Sequence, residues 1–254
     1  MSEFTFRVDK KKVRLQLLVL VAIYASLFLI TFAVGDLNLT VAINNLMVVS
    51  PPWLQSFMFY YTKYGYYVFG IVAIGIGILT FSNKFERLKS FRVMFLGLAM
   101  GYSVSWFIMA YLLKPFFIRL RPYVEYGGEG GVIKQYEYKP GSFYESGGYS
   151  FPSGHATAAF GMSGAIMVRV QKWVFRILLY IYPVLMAFTR PYFGVHYVTD
   201  VLVGSILGLA CSIGFYVLLE YLNARGKLPE RIQGFLFLIG LGIAIISIVI
   251  DLLE

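Results

Sequence analysis

The chain contains 254 residues, of which 59% are hydrophobic and 14% charged, against about 45–50% and 25% in an ordinary soluble domain. With a mean hydropathy of +0.71, its apolar residues exceed what one water-soluble globule can bury. The composition therefore argues against a soluble globular protein and predicts a polytopic membrane protein. One Cys excludes an intramolecular disulfide, and two His argue against a zinc site of the usual kind.

Seven apolar stretches predict an all-α bundle of transmembrane helices that forms a single domain over residues 1–254. Five long stretches are assigned as spans, at residues 13–34, 66–81, 93–113, 198–222 and 235–253. Two others, 155–168 and 177–189, would be only about 20 Å long as helices, against a hydrocarbon core of about 30 Å. Trp173 and Phe175 can extend the second of these. The segment 36–53 is predicted as an amphipathic surface segment that Pro51 and Pro52 end.

The distribution of charge predicts how the chain is oriented in a cell membrane. Basic residues group at 10–14, 84–92, 169–176 and 225–231, which are the ends of spans on one side. The segments on that side carry 15 of the 22 Lys and Arg but only 5 of the 13 Asp and Glu. The net charge of +9 therefore indicates a cytoplasmic N-terminus rather than a nucleic-acid partner. The first span is predicted to be a retained anchor rather than a cleaved signal peptide.

Three polar clusters lie at the opposite ends of the spans. They are Lys114-Pro115 with Arg121-Pro122, Pro152-Ser153-Gly154-His155, and Thr189-Arg190 with His196 and Asp200. A Ser at a helix start followed by Gly leaves backbone N–H groups pointing at one spot, which is typical of an anion site. The cations Lys114, Arg121 and Arg190 can donate charge-assisted hydrogen bonds to the same anion, so the clusters predict a phosphate-like ligand.

The two histidines suggest what happens to that anion. His196 and Asp200 are four residues apart, so on the first turn of a helix the carboxylate can bond one ring nitrogen and leave the other as a nucleophile. His155 is then available to protonate a leaving oxygen as a general acid.

Taken together, the motifs Lys114-x6-Arg121-Pro122, Pro152-Ser153-Gly154-His155 and Arg190-x5-His196-x3-Asp200 closely resemble the three-part signature of the type-2 phosphatidic acid phosphatase superfamily. The resemblance covers residues 93–222, and Thr189 stands where that family usually has Ser. It implies a six-helix phosphatase core in which His196 forms a phosphohistidine, Asp200 orients it, and His155 is the general acid and base. It further implies that the phosphate is held by Lys114, Arg121, Ser153, Gly154 and Arg190, with no metal or other cofactor.

The implied function is hydrolysis of a membrane lipid phosphate on the non-cytoplasmic face, with the site several Å below the membrane surface and no obligatory protein partner. Undecaprenyl diphosphate is the first choice of substrate, with phosphatidate or phosphatidylglycerol phosphate as alternatives. A phosphotransferase would use the same residues. An anion transporter is a more remote alternative, because intramembrane cations also mark ion paths, but the polar groups lie at helix ends and no repeat is visible.

The polar loop 114–151 has two possible roles. Arg119, Lys134 and Lys139 are candidates for binding a second phosphate or for a lid, but among four glutamates they also fit a solvated surface of mixed charge. The many aromatic residues of the loop fit either a lid over a lipid chain or an interfacial belt. The span 235–253 lies beyond the family core, and nothing in the sequence assigns it a function.

Overall fold

The computed structural model of the chain describes residues 10–170 and 173–253. Its helices are α1 (Lys10–Val34), α2 (Asp36–Val49), α3 (Pro52–Leu79), α4 (Arg92–Phe107), α5 (Lys114–Phe117), α6 (Pro122–Tyr126), α7 (Gly154–Arg169), α8 (Trp173–Tyr192), α9 (Val198–Ala224) and α10 (Glu230–Leu253). A 3₁₀ helix (Asn83–Phe91) precedes α4, and a π-helical segment (Ile108–Leu113) joins α4 to α5. Strands β1 (Glu137–Lys139) and β2 (Ser142–Phe143) form an antiparallel pair in the loop before α7. Lys172, one of the predicted basic residues, lies outside the described residues.

The structure confirms an all-α, multi-pass membrane protein. Within the described residues, six segments are long and apolar enough to cross a membrane: Val13–Val34, Pro52–Leu79, Asn83–Tyr126, Val174–Tyr192, Val198–Ala224 and Glu230–Ser247. The stretch 155–168 corresponds to α7, which has only 16 residues. The stretch 177–189 is part of a longer helix than its hydropathy predicts. Helix α8 has 20 residues, because it begins at Trp173 and continues past Thr189 to Tyr192.

The centre of the bundle is α7, which packs against α4 and α9. Most of its side chains are buried and small, with Ala, Gly and Ser at many positions. Glycines let the neighbouring backbones approach closely: a Cβ on Gly101 would lie 2.3 Å from Ser212 Cα, and a Cβ on Gly208 would lie 2.4 Å from the Thr157 carbonyl oxygen. Small residues at helix contacts are typical of membrane bundles. These contacts set how closely α4, α7 and α9 pack, and two of the polar clusters lie at the starts of α7 and α9.

Two glycines of α9 provide a test of this packing. Gly208→Ala is expected to lower the thermal midpoint of the purified protein clearly, because backbone rather than a flexible side chain must move, and overpacking of this kind costs about 1–3 kcal/mol. Gly214→Ala is the matched control, since a Cβ at that position meets nothing within 4 Å. Equal midpoints for the two variants would show that α7 and α9 are not packed this closely.

The segment predicted as a surface helix is α2, and one face of it is buried in the protein. Thr40, Asn44 and Met47 are buried. The Asn44 amide donates to the carbonyls of Lys134 and Tyr192, both at 3.0 Å. Helix α2 therefore ties the polar loop to the end of α8.

The paired prolines lie at a junction between two helices. Helix α2 ends before Pro51, as predicted, but Pro52 is the first residue of α3, where proline fits because that N–H has no helical partner. Helix α3 therefore begins well before its predicted start at Tyr66.

Candidate active site

The three polar clusters meet at one cavity of about 330 Å³ between the end of the α4 segment, the start of α7 and the turn that joins α8 to α9. Five of the predicted site residues line it: Lys114, Arg121, Gly154, His155 and His196. The other three, Ser153, Arg190 and Asp200, are fully buried and do not line it. The walls also include aromatic residues of α3 and α4, among them Tyr66 and Trp106. Residues far apart in the sequence thus converge on a space large enough for a phosphate group.

His196 lies in the turn before α9, not on its first helical turn as the spacing had suggested. Tyr197 is the N-cap of α9, and Asp200 is the third residue of the helix. The Asp200 carboxylate folds back over the helix start, where its Oδ2 accepts from the Tyr197 backbone N–H at 2.9 Å and lies 3.4 Å from His196 Nδ1. The predicted pairing of His196 with Asp200 is therefore present, but it is built by a helix cap.

The ring of His196 is 2% exposed. Burial, together with the positive charges of Arg121 and Arg190, holds the pKa of His196 well below its usual value, so the imidazole is neutral at pH 7. With Asp200 facing Nδ1, the hydrogen is assigned to that nitrogen and the lone pair to Nε2. Arg121 Nη1 lies 2.9 Å from Nε2 and donates to it.

Arg121 already has a partner for each of its donors. Besides His196, Nη1 donates to the Val195 carbonyl at 2.9 Å. The other donors bind backbone carbonyls of a loop segment that also lines the cavity. Nε donates to Gly148 at 3.0 Å, and Nη2 donates to Gly147 at 2.5 Å and to Tyr149 at 3.4 Å. A phosphate oxygen can bind Arg121 only if some of these bonds are exchanged.

Arg190 differs from Arg121 in having unsatisfied donors. It is fully buried near the end of α8, and its Nη1 donates to the hydroxyls of Thr62 at 2.8 Å and Tyr144 at 2.7 Å. Its Nε and Nη2 are buried without a hydrogen-bond partner among the described residues. Buried, unpaired N–H groups are unfavourable unless a ligand accepts from them.

The start of α7 brings two predicted residues into the cavity and keeps a third out of it. Gly154 and His155 line the space, and the His155 ring packs edge-on against Tyr66, with 5.0 Å between the ring centroids. Ser153 is the N-cap of α7: its Oγ accepts from the Ala156 N–H at 3.4 Å. Its own N–H donates to the Asp200 carbonyl at 3.0 Å. Ser153 thus holds α7 against α9, and both of these groups already have protein partners.

The sequence profile of the PAP2 superfamily matches residues 91–224, which is more than half of the chain. The chain belongs to the PAP2 superfamily. The match includes all three polar clusters, so it confirms the resemblance of these motifs to the family.

Two curated relatives match parts of the chain. Lipid A 4'-phosphatase from Bacteroides thetaiotaomicron is 33% identical over 88 residues, 35% of this chain and 39% of that protein. The enzyme of the same name from Porphyromonas gingivalis is 31% identical over 124 residues, 45% of each chain. The chain thus matches less than half the length of either relative.

Two crystal structures are similar at 24% identity. Aquifex aeolicus LpxE has a TM-score of 0.49, with 71% of this chain and 93% of that one covered. A transmembrane PAP2-type phosphatidylglycerolphosphate phosphatase from Bacillus subtilis has a TM-score of 0.52, with 80% and 96% covered. The second similarity shows that the two proteins share a fold.

Three cations of this PAP2 protein that were candidates for a second phosphate site do not line the cavity. Arg119 forms ion pairs with Asp200 and Asp36, both at 2.8 Å. The ammonium group of Lys134 donates to the Gly131 carbonyl, and Lys139 is exposed on β1. Arg119 pairs with these carboxylates because its side chain packs against the start of α9. The sequence alone does not predict this packing.

Four residues that contact the site were not predicted. Ser150 donates a short hydrogen bond to Asp200 Oδ2, while Thr62 and Tyr144 hold Arg190, and Asp36 binds Arg119. The first three carry only a hydroxyl group, and all four are distant in sequence from their partners. Nothing in the local sequence distinguishes them from ordinary polar residues.

Proposed function

We propose that this PAP2 protein is a membrane phosphatase that removes phosphate from a lipid through a covalent intermediate on His196. The observation that carries the proposal is the arrangement of the two histidines: a neutral, buried His196 held by Asp200 lines the same cavity as His155, and the cations Lys114 and Arg121 also line that cavity. The names of the two curated relatives, both lipid A 4'-phosphatases, support the same reaction class.

The reaction proceeds in two steps. His155 takes up a proton as the anionic phosphate binds and offsets the charge of the surrounding cations. His196 Nε2 attacks phosphorus, and the P–O bond to the lipid breaks as the N–P bond forms, while His155 donates that proton to the leaving oxygen. A water molecule then attacks phosphorus and gives its proton to His155. The N–P bond breaks, and its electron pair returns to Nε2.

The contact between Arg121 and Nε2 links substrate binding to activation of the nucleophile. In the structure, Arg121 donates to the lone pair that must attack phosphorus. Phosphate oxygens are stronger acceptors than a neutral imidazole, so a bound phosphate draws the guanidinium away and frees Nε2. Arg121 then stabilises the charge that develops on the phosphoryl oxygens.

The cavity favours a lipid with a single phosphate at the reacting position. A diphosphate needs cations for a second phosphate, but Arg119 is bound to two carboxylates, and Lys134 and Lys139 do not line the cavity. A phosphate monoester therefore becomes the first choice and a polyprenyl diphosphate the second. Because the relatives are named for lipid A, that lipid is the first monoester to test.

The proposed site faces the non-cytoplasmic side of the membrane, as the charge distribution indicates. Gly154 is the first residue of α7, and the turn that carries His196 directly follows α8. A site formed at these helix ends is reached laterally by a lipid headgroup, without extracting the lipid from the bilayer.

The test is phosphate release by the purified protein from lipid A, phosphatidate, phosphatidylglycerol phosphate and farnesyl diphosphate. We expect a monoester to be hydrolysed fastest and the rate to be unchanged by excess EDTA, since the cations of the site supply the charge that a metal would otherwise provide. Fastest release from farnesyl diphosphate would overturn the monoester assignment, and loss of activity in EDTA would overturn the metal-free mechanism. No release from any of the four lipids would overturn the proposed function.

A further inference from the structure

One oxygen of the Asp200 carboxylate, Oδ2, faces His196. The other oxygen, Oδ1, belongs to a network of charged groups. Asp200 is fully buried, and its Oδ1 accepts from Arg119 Nη1 at 2.8 Å. The second terminal nitrogen of Arg119, Nη2, donates to Asp36 Oδ2, also at 2.8 Å. One guanidinium therefore joins two carboxylates, each through its own nitrogen, which only an arginine can do in this planar geometry.

Asp36 is fixed in turn by the first turn of α9. Its Oδ1 accepts from the Thr199 backbone N–H at 3.0 Å, and its Oδ2 accepts a short hydrogen bond from the Thr199 hydroxyl. Thr199 immediately precedes Asp200, so Asp36 is attached to the same helical turn by two routes. A carboxylate at the start of a helix is also favoured by the helix dipole.

Tyr197 prevents Arg119 from turning away from this position. The guanidinium lies 3.7 Å from the centroid of the Tyr197 ring, and the Tyr197 hydroxyl donates to Glu125 at 2.7 Å. Arg119 is thus held by a ring on one face and by carboxylates at its edge. An arginine fixed in this way acts on Asp200 from a defined direction.

We propose that Asp36, at the start of α2 and outside the matched family region, is a positioning residue. It acts through Arg119 to orient the Asp200 carboxylate toward His196 and to offset the positive charge of the guanidinium. The proposal rests on the proposed function. Arg119 alone would pair with Asp200 and largely neutralise it. With Asp36 sharing the guanidinium, the three groups carry a net negative charge next to the ring.

That negative charge matters because, within the part of the chain that the structure describes, the charged groups that act most strongly on His196 are cations. Lys114, Arg121 and Arg190 act on the ring from the surrounding elements, and His155 faces it across the cavity. Positive charge develops on the imidazole when Nε2 bonds to phosphorus, and these neighbours oppose it. Asp200, supported by Asp36, is the group that offsets this repulsion.

The experiment compares Asp36→Asn and Arg119→Gln in the full-length purified protein, with Glu230→Gln as the matched control. Glu230 also pairs with an arginine, Arg92, at 2.9 Å, but at the start of α10 rather than at the site. We expect Asp36→Asn to lower kcat about 10-fold, as is usual when an outer partner of a site is removed, with KM changed by less than about 2-fold. Glu230→Gln should leave both parameters unchanged.

The pH dependence of kcat/KM gives a sharper readout, because the two variants remove charges of opposite sign. On the acidic side of the profile, kcat/KM rises with pH as His196 loses its proton in the free enzyme, and we call this rise the acid limb. The lowered pKa of His196 places the acid limb below about pH 6.5 in the wild type. Asp36→Asn removes a negative charge and moves the limb to lower pH. Arg119→Gln removes a positive charge and moves it to higher pH, each by roughly half a pH unit.

A purely structural role for Asp36 predicts a different result. Asp36→Asn would then lower the thermal midpoint or the yield, while kcat per folded molecule and the acid limb matched those of Glu230→Gln, and this would overturn the proposal. If Asp36→Asn does not fold, the direction in which the limb of Arg119→Gln moves decides alone, and no shift would overturn the proposal. A wild type inactive on all four lipids would instead reject the proposed function.

Discussion

His196→Ala is expected to lower kcat for the best lipid substrate by about 10³-fold or more, because His196 is the imidazole of the cavity that a carboxylate, Asp200, holds with Nε2 as the nucleophile. Phosphate release measures this loss. A second measurement detects the intermediate: with a substrate labelled in its phosphate, an alkaline quench during turnover should trap label on the wild-type protein. The His196→Ala variant should carry none.

His155→Ala is the matched control, since it removes the other imidazole of the same cavity. A substrate with a good leaving group, such as p-nitrophenyl phosphate, needs no proton from His155, so the variant should still transfer phosphate to His196 and accumulate labelled protein. His196→Ala should be inactive with both kinds of leaving group. Undiminished hydrolysis by His196→Ala would rule out the covalent mechanism.

The sequence was sufficient to predict which residues meet at the cavity, because each motif lies where a helix begins or ends. Lys114, Gly154 and His155 lie at such positions, and the bundle brings these helix ends together. The sequence was not sufficient to predict which partner a polar side chain of the loop contacts. Arg119 is only two residues from Arg121, yet it binds Asp36, 83 residues away, whereas Arg121 binds His196.

The helices show the same difference between what local sequence predicts and what depends on tertiary packing. Hydropathy predicted the bundle, because burying apolar side chains in lipid depends on composition alone. It could not predict that α7 lies at the centre of the protein, where small residues match the neighbouring backbones and a short helix is sufficient. Nor could it predict that α2 packs inward, since this depends on Asn44 binding the carbonyls of Lys134 and Tyr192.

Arg190→Met is expected to lower kcat/KM by about 10²–10³-fold, the usual cost of removing one preorganised donor from a site that stabilises developing negative charge. The reason lies in the geometry of its guanidinium. Thr62 and Tyr144 accept from Nη1 only, and so hold the group in one orientation. Nε and Nη2, which are adjacent on the planar group, have no partner among the described residues and are suited to two oxygens of one phosphate.

The thermal midpoint of Arg190→Met separates a phosphate ligand from a structural residue. Among the described residues, Arg190 forms no ion pair with a carboxylate, so its burial opposes folding in the absence of substrate, and methionine should leave the midpoint unchanged or raise it. Lys139→Gln is the control, because it removes an exposed cation outside the cavity and should change kcat/KM by less than about 2-fold. Loss of activity together with loss of stability would instead mean that Arg190 supports the fold. Low activity in a protein that is as stable as the wild type, or more so, would identify Arg190 as a group whose unfavourable burial is offset only when phosphate binds.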